Sequence, residues 1–185
     1  MSHERVLDRD RSVLLVIDLQ ESYRGKLFEE ERLIEAARRL LLAAGELHVP
    51  VVLTEQYPKG LGATRSEISE AEPEGVARFE KTRFSALGAE GLLEHLRGLG
   101  RDQLVVTGIE TQVCVNQSVH DLLAEGFAVH VVRDAVSSRF PLEDELGFAK
   151  MVGSGAVPAC VEGVLFEWLR DARAPEFKAV HRLVM

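Results

Sequence analysis

Three residues, distant from one another in the chain, carry side chains that can do covalent chemistry. Cys114 lies in QLVVTGIETQVCVNQSVHDLLAEG, residues 103–126. There an apolar strand (Leu104, Val105, Val106) gives way at Gly108 to a turn, then to a helix with Val115, Val119, Leu122 and Leu123 at helical spacing. A cysteine near such a helix start meets unpaired backbone N–H groups and the positive end of the helix dipole. That setting favours thiolate over thiol and can hold an oxyanion. A buried structural cysteine is the competing reading of the same residue. Asp18 ends the apolar run Val13–Ile17 in VIDLQESY. Ligands of open α/β sheets gather beyond the carboxyl ends of strands, although a turn or cap residue suits the place as well. Lys81, in FEKTRFSAL, reads by itself as a surface lysine whose stem lies along apolar neighbours.

The elements that must position these residues follow from apolar periodicity. Ser12 leads into Val13–Ile17, a continuous apolar run suited to a strand covered on both faces. Leu33, Ala36, Ala37, Leu40, Leu41, Ala44 and Leu47 mark one face of a long helix. Pro50 bars its continuation, and Val51–Thr54 gives a second strand. From Glu55 to Gly75 periodicity is lost amid Pro58, Gly60, Gly62 and Pro73, which fits a binding loop or lid as well as surface filler. Val76–Glu80 is a weak strand, and Ser85 is placed to cap a helix bearing Leu92, Leu93, Leu96 and Leu99. Gly126 suits the residue after a helix end, and Phe127–Val132 is a strand ending at Arg133-Asp134. Pro141 opens a helix with Leu142, Leu146 and Ala149, and Gly155–Val157 gives a short last strand. Val161, Val164, Leu165, Trp168 and Leu169 then repeat at helical spacing, with Trp168 and Cys160 read as packing residues. The tail ARAPEFKAVHRLVM has no clear period and is free to dock on the core or on a partner subunit. Strands alternating with helices predict one α/β domain over residues 1–185, with a mostly parallel sheet and helices on both faces.

Composition narrows the function. A chain of 185 residues can bury a full core, and its net charge of −8 without a Lys/Arg cluster argues against nucleic acid and anionic membrane surfaces. The apolar runs are too short to span a bilayer. MSHERVLDRDRS has no apolar core of a secretory signal, so a cytoplasmic protein is expected. Cys114 and Cys160 make neither a disulfide framework nor a metal-finger spacing.

Asp18 after the first strand, Lys81 before FSAL, and Cys114 in GIETQVCV together resemble the isochorismatase-like cysteine hydrolases, over most of the chain. The resemblance implies a Rossmann-like three-layer fold and an Asp-Lys-Cys triad. Cys114 would attack a carbonyl carbon, Asp18 would take the thiol proton, and Lys81 would keep Asp18 ionised. It also implies a cis peptide at Ile109–Glu110 and an oxyanion hole from the backbone N–H groups of Glu110 and Cys114. A carboxylate and an ammonium beside the thiol can move its proton without histidine. His48, His95, His120 and His130 have no suggestive neighbours in sequence. Gln20, Tyr23, Gln56, Phe84 and Thr111, near strand ends, are expected to shape the substrate pocket.

Departures from the family pattern refine this. No histidine occurs between His48 and His95, where nicotinamidases of the family have metal ligands, so neither a metal nor a cofactor is expected. Cys114 sets the chain apart from isochorismate-cleaving members that lack the cysteine. TEQYPKGLG, GIETQVCV and PEFKAVHRLV look closest to the isochorismatase-domain-containing subgroup, in which the position of Gln112 is commonly histidine. The resemblance therefore points to a cysteine-dependent hydrolase of a small amide or related C–N bond. The partners it implies are a small-molecule substrate and copies of the same chain. The tail and residues 55–75 are the candidates for closing a neighbouring subunit's site. The competing classes are a non-catalytic oligomeric binding or scaffold protein and a redox-active thiol protein, the latter weakened by the absence of a CxxC pair.

Overall fold

The apolar run near the N-terminus becomes β1 (Ser12–Ile17), and every one of its side chains is buried, as a central strand covered on both faces requires. The computed structural model describes residues 3–185. Five further strands join β1: β2 (Val51–Gln56), β3 (Ala77–Lys81), β4 (Gln103–Ile109), β5 (Ala128–Ser137) and β6 (Val157–Ala159). They form one six-stranded sheet in the order β3-β2-β1-β4-β5-β6, and every neighbouring pair is parallel.

The pleat sends alternate residues of β1 to opposite layers. Leu14 and Val16 enter a core with the long helix α1 (Glu30–Glu46). Short helices α2 (Pro58–Leu61) and α3 (Ser66–Ser69) follow β2. On the opposite face, Val13, Leu15 and Ile17 pack with α4 (Leu92–Gly98), α5 (Asn116–Ala124) and Met151 of α6 (Pro141–Gly153). Helices α7 (Val161–Leu169) and α8 (Phe177–His181) complete the α1 side. The result is an α/β three-layer sandwich. No helix among the described residues is long and apolar enough to cross a membrane.

Several boundaries differ from the sequence reading for identifiable reasons. Strand β5 continues past Arg133-Asp134 to Ser137, because Asp134 accepts the Val161 N–H and Arg133 pairs with Asp144, so neither charge ends the strand. Ser85 caps no α-helix: it precedes a single 3-10 turn, Ala86–Gly88, and α4 starts only after Gly91. The 55–75 segment is not structureless, since Thr64 bridges Gln20 and Ile68 is buried in the α1 core. The tail takes the first of its two expected places, docking on the core through the fully buried Val180. Cys160, read as packing, is exposed just before α7.

Candidate active site

Parallel register sets Ile17 level with both Thr54 and Gly108, and Gln56 level with Lys81. Residues at the ends of β1, β2, β3 and β4 therefore arrive at the same edge of the sheet. Asp18, just past β1, turns out of the strand at φ 56° and is only 1% exposed. Its Oδ1 accepts the Thr54 hydroxyl at 2.7 Å, and its Oδ2 accepts Lys81 Nζ at 2.5 Å. Lys81 also donates to Gln56 Oε1 at 2.8 Å and to the Phe84 carbonyl at 3.0 Å. An ammonium has three protons to donate, and these partners take all of them. Burial of both partners makes the pair costly to break, about 3–5 kcal/mol when one member is removed.

Gly108 lets the next corner form. A Cβ there would lie 2.1 Å from the Ile17 carbonyl oxygen, and its φ of +123° is left-handed, so β4 passes β1 closely only as glycine. It sits within β4 beside a register shift with β5, not in a turn as the sequence suggested. The peptide bond between Ile109 and Glu110 is cis. Thr111–Val115 then forms a wide π-type turn before α5 begins at Asn116. Two N–H groups of this corner, from Val113 and Val115, donate to the Glu110 carbonyl. Ser118 ties the corner to the Lys81 loop, accepting the Ala86 N–H at 2.7 Å and donating to the Cys114 carbonyl at 2.6 Å.

Cys114 is 7% exposed, and the charges of Asp18 and Lys81 both act on its thiol. Burial first, then the negative charge of Asp18, pushes the thiol up to about 12, while Lys81 pulls the other way. The sequence reading of a helix start that favours thiolate is thereby corrected. Cys114 lies in the wide turn ahead of α5, where desolvation and a neighbouring carboxylate disfavour the thiolate.

The five residues expected to shape a pocket divide into two groups. Gln20, Gln56 and Thr111 are buried, and their polar atoms are committed to the scaffold. Gln20 Nε2 donates to the Gln56 and Gly62 carbonyls, and its Oε1 accepts the Gln56 N–H. Gln56 Nε2 donates to the Thr82 carbonyl, and Thr111 donates to Asp144 at 2.6 Å. Tyr23 is half-buried, and burial followed by the charges of Glu110, Cys114 and Asp18 raises its hydroxyl pKa. Phe84 is 52% exposed. Gln112 accepts the Ser138 hydroxyl at 2.6 Å, joining the turn to the end of β5. Thr54, Ser118 and Arg139, which bonds Glu110 at 2.9 Å, escaped the sequence reading. Thr54 alone left a signal, as the last residue of its predicted strand.

A parallel sheet flanked by helices, with a thiol and a carboxylate–ammonium pair at its carboxyl edge, defines an α/β three-layer sandwich with these groups gathered at one edge. A family model described as "Isochorismatase domain" matches residues 12–163, and the chain belongs to the isochorismatase family. It is 39% identical over 174 residues to isochorismatase domain-containing protein 2 of Danio rerio, covering 94% of this chain and 86% of that one. It is 41% identical over 177 residues to a secreted isochorismatase effector of Phytophthora sojae, covering 94% and 84% respectively. Among solved structures it is similar to MAR1 ribonuclease from Caenorhabditis elegans. The TM-score is 0.92 and the identity 36%, over 97% of this chain and 92% of that one. Membership of the family supports a hydrolase-type function.

Proposed function

We propose that the chain is a cysteine-dependent hydrolase of a small amide or related C–N bond, with Cys114, Asp18 and Lys81 as its triad. The observation that carries this reading is the buried Asp18–Lys81 pair acting on the Cys114 thiol. A thiol held protonated beside a carboxylate needs that carboxylate as its base. As Sγ bonds to the carbonyl carbon, the S–H proton passes to Asp18. The carbonyl π electrons move onto oxygen, and the backbone N–H groups of Glu110 and Cys114, which take no part in the two bonds to the Glu110 carbonyl, stabilise that oxyanion. Collapse breaks the C–N bond, Asp18 returns its proton to the departing nitrogen, and a thioester remains. Water then gives a proton to Asp18 and attacks the thioester; the acid leaves and the thiol regains its proton. In this reading Tyr23 and Phe84, which keep exposed surface, meet the substrate, whereas Gln20, Gln56 and Thr111 act on it through the loops they hold.

The test is Cys114→Ala, assayed for ammonia release from a panel of small amides with circular dichroism as the control for folding. Loss of release in a folded variant is expected. Normal turnover overturns the mechanism, and parent protein inert across the panel with an unreactive Cys114 favours the scaffold reading. Similarity to the C. elegans MAR1 ribonuclease brings a second reading, RNA cleavage. Its test is a labelled single-stranded RNA incubated with the parent protein and with Cys114→Ala.

A further inference from the structure

We propose that the cleft beside the Cys114 corner holds the carboxylate of an anionic acyl substrate, bound by Arg139, Lys26 and Tyr23. This rests on the hydrolase reading above and names its substrate class. The cleft, about 270 Å³, is lined by Ser22, Tyr23, Lys26, Leu61, Glu110 and Arg139. It adjoins the reacting groups, because Glu110 heads the Cys114 turn and Tyr23 lies within electrostatic reach of Cys114 and Asp18.

Donors in this cleft outnumber acceptors. Arg139 commits Nε to Glu110 Oε1 at 2.9 Å, and among the described residues neither of its Nη atoms has an acceptor. The guanidinium lies 5.9 Å from the centre of the Phe140 ring, which helps fix its plane. Lys26 Nζ donates to the Ser22 carbonyl at 2.6 Å and has two further protons to offer. The hydroxyls of Ser22 and Tyr23 make no hydrogen bond among the described residues. Among the described residues Glu110 is the one carboxylate in the lining and is already paired with Arg139 Nε. Glu143 also acts on Arg139 from outside the lining, so what the cleft offers an anion is unfilled Nη and Nζ donors more than a net charge. The paired Nη edge of a guanidinium matches a planar carboxylate, while Leu61 supplies an apolar wall for the carbon chain between carboxylate and amide. A cleft near the lower end of ligand-site volumes, roughly 300 Å³, suits a short substrate.

The experiment compares N-(iodoacetyl)glycine with N-(iodoacetyl)glycinamide, reagents of nearly equal size that differ by one negative charge. Labelling of Cys114 is read by peptide mass spectrometry at about pH 9, a pH chosen because the thiol ionises late, with exposed Cys160 as internal reference. The Cys114-to-Cys160 labelling ratio is expected to be about fivefold higher for the carboxylate reagent, a partly exposed ion pair's worth of preference. Arg139→Gln should abolish that preference, and Arg139→Lys should restore part of it. Equal ratios for the two reagents in the parent protein overturn the anion site and leave the hydrolase reading standing. A Cys114 that neither reagent labels even on prolonged incubation at rising pH, with the fold intact and Cys160 labelled, overturns both. Protection of Cys114 by a short RNA and not by succinate reassigns the cleft to a phosphodiester and overturns the carboxylate.

Discussion

Replacing Asp18 with asparagine separates two properties that loss of the thiol would remove together. With the thiol pushed up to about 12, the resting side chain stays protonated near neutral pH and attack needs a base. In the proposed mechanism Asp18 takes the proton during attack, and a positioned general base is worth about 10²–10⁴ in rate. Asp18→Asn is therefore expected to lower kcat/KM for ammonia release by about 10²–10⁴. The same change deletes one of the influences that keep the thiol protonated and leaves Lys81 beside it. Cys114 should then lose its proton at lower pH than in the parent protein. Alkylation by iodoacetamide, read by peptide mass spectrometry against Cys160, is expected to rise while turnover falls. The asparagine keeps the carboxylate's shape and one oxygen to accept the Thr54 hydroxyl. It also turns an NH2 toward the buried Lys81 ammonium, so circular dichroism and a urea midpoint accompany the assays as controls for folding. Turnover within about threefold of the parent, a loss too small for a general base, would refute Asp18 as the base. Alkylation that falls together with turnover would refute the electrostatic account of the thiol.

Three further outcomes follow from packing and charge. Gly147→Ala places a Cβ 2.7 Å from Gln112 Cα, so α6 must back away from the Cys114 turn; a loss of about 1–3 kcal/mol should appear in the urea midpoint, with an unchanged midpoint counting against it. His130 is held by burial at about 4, below its ordinary 6.5, and its Nε2 has no partner among the described residues. The unfolded chain binds a proton there that the native state resists, so stability should fall by up to ~3 kcal/mol as pH drops from 6.5 toward 4. His130→Leu should flatten that part of the pH profile, and a profile identical to the parent's would exclude the histidine as its source. Phe140, Leu142 and Leu146 are 57%, 63% and 60% exposed at the start of α6, an apolar face suited to another copy of the chain. Light scattering should find an oligomer that Leu142→Glu combined with Leu146→Glu dissociates; a monomeric parent protein would end that idea.

The strands and helices that read clearly from sequence are those whose cover is complete. β1 and β4 are buried along their length, and α1 repeats its apolar face over four turns, so local pattern and tertiary environment agree. β3 was weak because it is an edge strand, with Arg78 and Glu80 facing outward and only Lys81 buried. β5 runs past Arg133-Asp134 although charged residues in sequence look like a strand end, and only their partners on α6 and α7 reveal why. The candidate site was legible as residue types at strand ends and through its family resemblance. Its supports were not: Thr54 meets Asp18 across 36 residues and Ser118 meets Ala86 across 32, distances no local pattern spans. The burial that raises the thiol is hidden for the same reason, since a helix start is visible in sequence while depth of burial is not.

The bonding of Lys81 bears on how many protons the proposed reaction can move. With Asp18, Gln56 and Phe84 occupying its three N–H vectors, the ammonium could exchange a proton only by breaking a bond in a buried site. It acts as a fixed countercharge whose protons stay in place. A single hydrogen then travels during acylation, from Sγ to the Asp18 carboxylate and on to the departing nitrogen. In mixtures of light and heavy water, the acylation rate should fall along a straight line with deuterium content, where a two-proton relay through the lysine would bow.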